Sequence, residues 1–362
     1  MNAFIAWTPL HIINILNTVI NYYPDSDNSL FIYDEFDGAH EIFEKLNRSQ
    51  VFWDIYLIDH QKTGNTIEKM GSLLFNKQKF IFQDKPFDHI FIQGENYFAK
   101  LLYGEAKKKN KDVHLHYIED GLGAYVGSPV LRTDNKGNRF IKQMNRHSIF
   151  RAKITSYYVY EPNLILSKMD ENYFQLPKLV DSNPAIHIIR NVFDAKDSRI
   201  ERINDRILFF DQPFLKDGFS IDEFSFVDAL QKIIFPETIT VKYHPRSPKD
   251  KYSGLNVLKT GLPWEIYCLN SQLEDVILLS IATTASFTPY LMFGIKLPVV
   301  MLAAYYLNVL PKNKENERTV MMLKNTVAFT DYYMQQTEVK VYQPHSMAEL
   351  SELLLEIPSE TD

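Results

Sequence analysis

Short apolar runs alternate with longer amphipathic stretches along this chain. Ala3–Trp7 reads as a buried strand, and Thr8-Pro9 before Leu10–Leu16 reads as a helix start, with Thr8 as N-cap and Pro9 in the first helical position. Strand-like runs recur at Ser29–Tyr33, Trp53–Ile58, His89–Gln93 and Val113–Ile118. Helical stretches at His40–Leu46, Thr66–Phe75 and Tyr97–Lys107 separate them. Strands alternating with helices predict a parallel sheet covered on both faces.

From Gly127 to Arg199 the pattern loses regularity and is punctuated by Pro129, Pro162, Pro177 and Pro184, so it reads as the tail of a first domain plus a linker. A second alternation begins at Arg206–Pro213. It continues through a helix at Ile221–Ile233, strands at Thr238–Tyr243 and Val276–Ser280, a helix at Phe287–Phe293 and an apolar run at Val299–Leu302. Ser346, with Glu349 three residues on, opens a last helix to Glu356 in a capping-box pattern. The expected organisation is an α/β chain of two Rossmann-like domains, 1–195 and 196–345, followed by a C-terminal helix and tail, 346–362.

A length of 362 residues exceeds what one hydrophobic core serves, which supports two domains. With 45% hydrophobic residues, 14% aromatics and 13 glycines, the chain has the composition of a packed globular protein. A net charge of −6 exerts no global pull toward nucleic acid, so any anion site must be local. The single cysteine, Cys268, cannot form an internal disulfide and suggests a reduced compartment. The opening Met1–Leu10 lacks a basic leader, and its apolar run is broken at Thr8-Pro9, so a cytoplasmic location is expected.

In open parallel sheets ligands bind beyond the carboxyl ends of the strands, and three strand ends here carry unusual chemistry. The first is Glu119-Asp120-Gly121, where two carboxylates run into a glycine that lets the backbone turn sharply. A carboxylate exposed there beside another is expected to hold its proton more tightly and to serve as a general base; the plainer reading is an Asp-Gly turn. The second is Lys242-Tyr-His244-Pro245-Arg246, in which Pro245 fixes the backbone before it. A protonated His244, with Lys242 and Arg246, would meet a phosphate; otherwise this is a surface turn. The third is the cluster Thr283, Thr284 and Ser286 after a buried strand, which either caps a helix or helps its free N–H groups hold a phosphate.

Together these motifs resemble the acidic-acidic-glycine, histidine-proline and serine/threonine motifs of bacterial sialyltransferases, in the order and spacing of glycosyltransferase family 52, the lipooligosaccharide and capsule group. The Trp7-Thr8-Pro9-Leu10 opening, with His11, and the Pro263-Trp-Glu265 segment add to the likeness. The resemblance implies a GT-B-like architecture, with two Rossmann-like domains facing a central cleft. It implies an inverting, metal-independent transfer of sialic acid from CMP-sialic acid to a galactose-terminated glycan, with no cofactor. Asp120 would be the general base and His244 the general acid and phosphate ligand. Thr283 and Thr284 would bind phosphate and Glu265 the donor ribose. The hydroxyl motif is threonine-rich where family members often carry serine.

Other readings stay open. The donor can be another nucleotide sugar, such as a glucosyl or galactosyl one. His114 and His116 alternate onto one strand face with Asp120, a set that would suit a metal-dependent hydrolase. A non-catalytic glycan-binding protein is the third. Lys107–Lys109 with Lys111 reads as a solvated helix end, whereas Arg139, Lys142, Arg146, Arg151 and Lys153 suit peripheral contact with an anionic membrane. The many aromatic residues are compatible with a homodimer.

Overall fold

The structure is a computed structural model, and it describes all residues except 76–84, 167–171, 196–202, 204, 233–238, 249–250, 253, 261, 271–272, 274 and 358–362. The chain divides into two compact units, Met1–Asp197 and Ser198–Asp362. The expected boundary at 195/196, the end of the expected helix at Ile233 and the start of the expected strand at Thr238 fall on residues outside the described ones.

The first unit is built on seven strands: β1 (Asn2–Ala6), β2 (Asn28–Tyr33), β3 (Asp54–Ile58), β4 (His89–Ile92), β5 (His114–Ile118), β6 (Ile154–Val159) and β7 (Asn172–Gln175). All pair in parallel, in the order β3-β2-β1-β4-β5-β6-β7. Every residue of β1 and β2 is buried, as required of strands sheathed on both faces. Phe91 is fully buried, stacked on Phe4 at 4.3 Å between ring centroids and on His116 at 4.6 Å.

The second unit has six parallel strands: β8 (Ile207–Phe210), β9 (Ile239–Lys242), β10 (Asn256–Val257), β11 (Ile277–Ser280), β12 (Val299–Met301) and β13 (Val341–Tyr342). Their order, β10-β9-β8-β11-β12-β13, reproduces the doubly wound pattern of the first sheet. The two successive Rossmann-like units give the GT-B-like α/β fold class expected from the sequence. In each sheet the strand order reverses beside the first strand, between β1 and β4 and between β8 and β11.

The helix Pro9–Tyr22 starts as its sequence dictates: the Thr8 side chain accepts from the His11 N–H at 3.2 Å, and Pro9 sits in the first turn. Residues 11–19 are all buried, polar ones included. Asn17 donates to the Pro177 carbonyl at 2.8 Å and accepts from Asn183 at 2.9 Å, while Asn14 donates to the Glu119 carbonyl at 2.9 Å. The last helix, Met347–Glu356, is capped by Ser346, which accepts from the Glu349 N–H at 3.1 Å; the Glu349 carboxylate accepts from His345, one residue before the cap.

The stretch expected to be the tail of the first domain plus a linker adds β6, β7 and two helices, Lys136–Met144 and Ala185–Val192, to the first unit. β7 is the sheet edge, and its residues are mostly exposed, which removes the apolar run that marks a strand. In the second unit the helix Glu317–Gln336 has no strong sequence signal, because its buried stripe contains Thr319, Thr326 and Thr330 beside Leu323, Phe329 and Tyr333. Thr326 and Thr330 return their hydroxyls to the carbonyls four residues back, at 3.0 and 2.8 Å, which makes them acceptable inside the helix contact.

Truncating the ring at the centre of the first sheet, Phe91→Ala, is expected to lower the stability of that unit by about 3–5 kcal/mol. Chemical unfolding followed by circular dichroism measures it.

Candidate functional site

In the first unit, the carboxyl ends of β1, β4 and β5 bring together Trp7–His11, Gln93-Gly94 and Glu119–Gly121. The His11 side chain is fully buried, and its Nε2 lies 2.6 Å from Asp120 Oδ1. Its Nδ1 accepts from the Trp7 backbone N–H at 3.3 Å. A peptide N–H can only donate, so Nε2 carries the ring hydrogen and donates it to Asp120. The Trp7 indole meets the His11 ring edge-on at 4.3 Å. Gly94 lies alongside in a backbone conformation that favours glycine, with φ +147°; a Cβ there would make ordinary contacts, at 3.6 Å, with Asp120 Oδ2 and the Trp7 ring.

Asp120 retains 41% side-chain exposure, so one oxygen is held by His11 while the group still meets solvent. Gly121, with φ +99°, makes the turn behind it. Glu119 corrects the expectation that both acids stand at the rim: strand alternation sends it inward. It accepts from the Tyr125 hydroxyl at 2.5 Å and from the Tyr160 N–H at 2.8 Å. Burial pushes its carboxyl up to about 7, against the pull of those two hydrogen bonds. The raised carboxyl is thus the buried one, and desolvation is the main cause.

In the second unit, the corresponding rim is tied by two side chains that follow β8. Asp211 is buried and accepts from the His244 N–H at 3.1 Å, from Lys251 at 2.8 Å and from the Tyr252 hydroxyl at 2.8 Å. Burial alone would raise its carboxyl, but these donors, Lys251 foremost, hold it below the ordinary value. Gln212 donates to the Ala282 carbonyl at 3.0 Å and accepts from the Ala282 N–H at 3.3 Å, across the place where the strand order reverses.

His244 accepts the Arg246 N–H on Nδ1 at 3.1 Å, so its Nε2 also carries the hydrogen. Burial, then the nearby Arg246 charge, pushes the imidazole below its usual range, against Asp211 and Asp217. The expected standing imidazolium is therefore corrected to a neutral ring offering an Nε2–H. Arg246 is engaged elsewhere: both its terminal nitrogens meet the Asp217 carboxylate, at 2.5 and 2.7 Å, and Pro245 beside it is exposed. Lys242 is pushed down by burial and Glu265 is pushed up by it, each partly offset by the charge of the other.

Thr283 caps a short turn by accepting from the Ala285 N–H at 3.3 Å, and Thr284 is partly buried beside it. Ser286 is buried and donates to Ser280 at 2.7 Å, which takes it out of reach of a ligand, contrary to expectation. The Trp264 indole N–H donates to the Ala285 carbonyl at 2.9 Å and so pins this turn to the helix that bears Glu265.

No protein-family profile matches this chain, and no curated protein sequence does. Solved structures similar to it include the Methanocaldococcus jannaschii UDP-GlcNAc 2-epimerase, at 14% identity and TM-score 0.48 over 98% of both chains. An α/β-galactoside α-2,3-sialyltransferase from Photobacterium phosphoreum matches at 12% identity and TM-score 0.46, over 94% of this chain and 98% of the other. A spinosyn rhamnosyltransferase complexed with thymidine diphosphate matches at 7% identity and TM-score 0.42, over 97% of this chain and 99% of the other. Likenesses at this level carry no activity with them.

The set His114, His116 and Asp120 is not assembled for a metal. Both His116 ring nitrogens are occupied, by His89 at 2.9 Å and Ser156 at 2.6 Å, and burial pushes the ring down to about 3. Among the described residues, Asp34, Asp59 and His60 place one ligand atom each within 4.8 Å of one another at the ends of β2 and β3. Asp34 already accepts from the His60 N–H at 2.6 Å, and Asp59 caps the turn that follows it. Among the described residues, no helix is long and apolar enough to cross a membrane. Asp211, Gln212, Gln93 and Gly94 were not among the expected site residues, although each lies just past a strand, the same signal that drew attention to Asp120 and His244.

Glu119 ties pH to stability. Its folded value, about 7, lies above the ordinary 4.5, so its contribution is fully present below pH 4.5 and lost as pH rises through 7. Glu119→Gln is expected to remove up to about 3 kcal/mol of the stability change across that window. Chemical unfolding of both proteins along a pH series checks this.

Proposed function

We propose that this chain is an inverting glycosyltransferase of the sialyltransferase type, related to glycosyltransferase family 52. It moves sialic acid from CMP-sialic acid to a galactose-terminated glycan of cell-surface polysaccharide. The observation that carries the proposal is the Asp120 carboxylate at the reversal point of the first sheet, oriented by a buried histidine in a defined tautomer and still open to solvent. An oriented, accessible carboxylate suits removal of a proton from a hydroxyl. The motif order Glu119-Asp120-Gly121, His244-Pro245 and Thr283-Thr284 adds the sialyltransferase likeness.

In the proposed reaction, an acceptor hydroxyl gives its proton to Asp120 as its oxygen bonds to the anomeric carbon. The bond from that carbon to the phosphate oxygen breaks, and its electron pair leaves with the cytidylate. The His244 Nε2–H donates to the leaving phosphate, whose charge would draw the imidazole back toward its protonated form. The turn at Thr283-Thr284 adds hydroxyl and N–H donors, and Glu265 holds the donor ribose. The single phosphate released can be met by these groups, and we propose that no metal or cofactor takes part.

Asp120→Ala is expected to lower transfer to a galactoside acceptor by about 10²–10⁴-fold, as is His244→Ala. Activity is expected to persist in EDTA. Both variants, assayed for CMP-sialic acid turnover with and without acceptor, test the reading. Unchanged turnover in Asp120→Ala would sink it, and turnover of a UDP-sugar instead would reassign the donor.

A further inference from the structure

We propose that the face of the first unit at the amino ends of β5 and β6, opposite the strand ends that bear Asp120, is a docking surface for an anionic phospholipid bilayer. This inference uses the first unit alone and stands apart from the proposed reaction. Between Asp134 and Glu161 the chain has no carboxylate but six basic residues: Lys136, Arg139, Lys142, Arg146, Arg151 and Lys153. The fold turns that run into a surface. A cavity of about 650 Å³ is lined by Arg146, Arg151 and Lys153, joined by Lys107 from the last turn of the helix Tyr97–Lys109 and Lys111 just after it, with Asp112 the one lining acid among the described residues.

These five cations form no ion pair with a carboxylate among the described residues. Arg151 is spent on the carbonyls of Lys142 and Gln143, at 2.7 and 3.2 Å, and Lys107 on that of Lys111; both are helix-end contacts. Lys153 makes no such contact among the described residues, and the Arg146 Nε donates to His147 Nε2 at 2.9 Å; both cations are exposed. The positive field is felt locally: burial, then Arg146 and Lys108, push His147 below its usual range. So many like charges in one concavity raise the local positive potential, which an anionic surface would complement.

A second feature selects the bilayer over a soluble polyanion. Helix Lys136–Met144 buries Asn138 and Ile141 on one side. On the outer side it presents Phe140 and Met144, 46% and 65% exposed and one turn apart, among Lys136, Arg139 and Lys142. Arg151, which lines the basic cavity, also rests on the last turn of this same helix. Large apolar side chains flanked by cations match the boundary of an anionic membrane, where each cation near the surface strengthens binding several-fold.

The test is sedimentation of the full chain with vesicles of phosphatidylcholine alone or mixed with phosphatidylglycerol, at low and high salt. Binding is expected only with the anionic lipid and is lost at high salt. Arg146→Glu/Lys153→Glu should lower it by at least about tenfold, Phe140→Ser/Met144→Ser should lower it several-fold, and Lys232→Glu, in the second unit, should not change it. Absence of anionic-lipid binding, or binding that survives the double charge reversal, would overturn the proposal. So would binding that ignores loss of the apolar pair while a short single-stranded DNA displaces the chain from vesicles, because a soluble polyanion would then be the better occupant.

Discussion

A parallel sheet sheathed on both faces leaves ligands the ends of its strands. That constraint governs both units of this protein. β1 and β2 are buried from end to end, so accessible polar chemistry falls to the residues that follow the strands, and the reversal of strand order decides which strand ends lie side by side. His11, in the helix after β1, and Asp120, after β5, share a hydrogen bond across the end of β4, where Gly94 lies alongside without a side chain. In the second unit, Gln212 spans the equivalent reversal and ties β8 to the loop after β11.

Much of this was legible in the amino-acid sequence. The alternation of apolar and amphipathic runs located β1 to β5 and most of the second sheet, because a strand covered on both faces is mostly apolar along its length. The capped start at Thr8-Pro9 was equally plain. What escaped were elements whose burial is carried by unexpected residue types. β7 lies at an exposed edge, and the helix Glu317–Gln336 buries threonines that satisfy themselves on their own backbone.

Side-chain commitments were legible only in part. Sequence proximity suggested that Glu119 and Asp120 would act on each other, but the strand geometry sends one into a shell of tyrosine and peptide donors and leaves the other outside. Arg246 stands beside His244 in the sequence, and its guanidinium nevertheless belongs to Asp217, a residue 29 positions earlier. Such pairings depend on contacts between segments far apart in the chain, which no local motif can report.

The amide ladder beneath the helix Pro9–Tyr22 has a mechanical meaning. Asn14 and Asn17 are bonded to the Glu119 carbonyl, to Pro177 and to Asn183, so a slide of the helix by one residue would orphan several buried groups at once. The rotational setting of His11 is therefore shared with Asn14, one turn on along the same helix and bonded to the residue before Asp120. Drift in these asparagines would retune the imidazole, and through it the carboxylate it steers, without touching either.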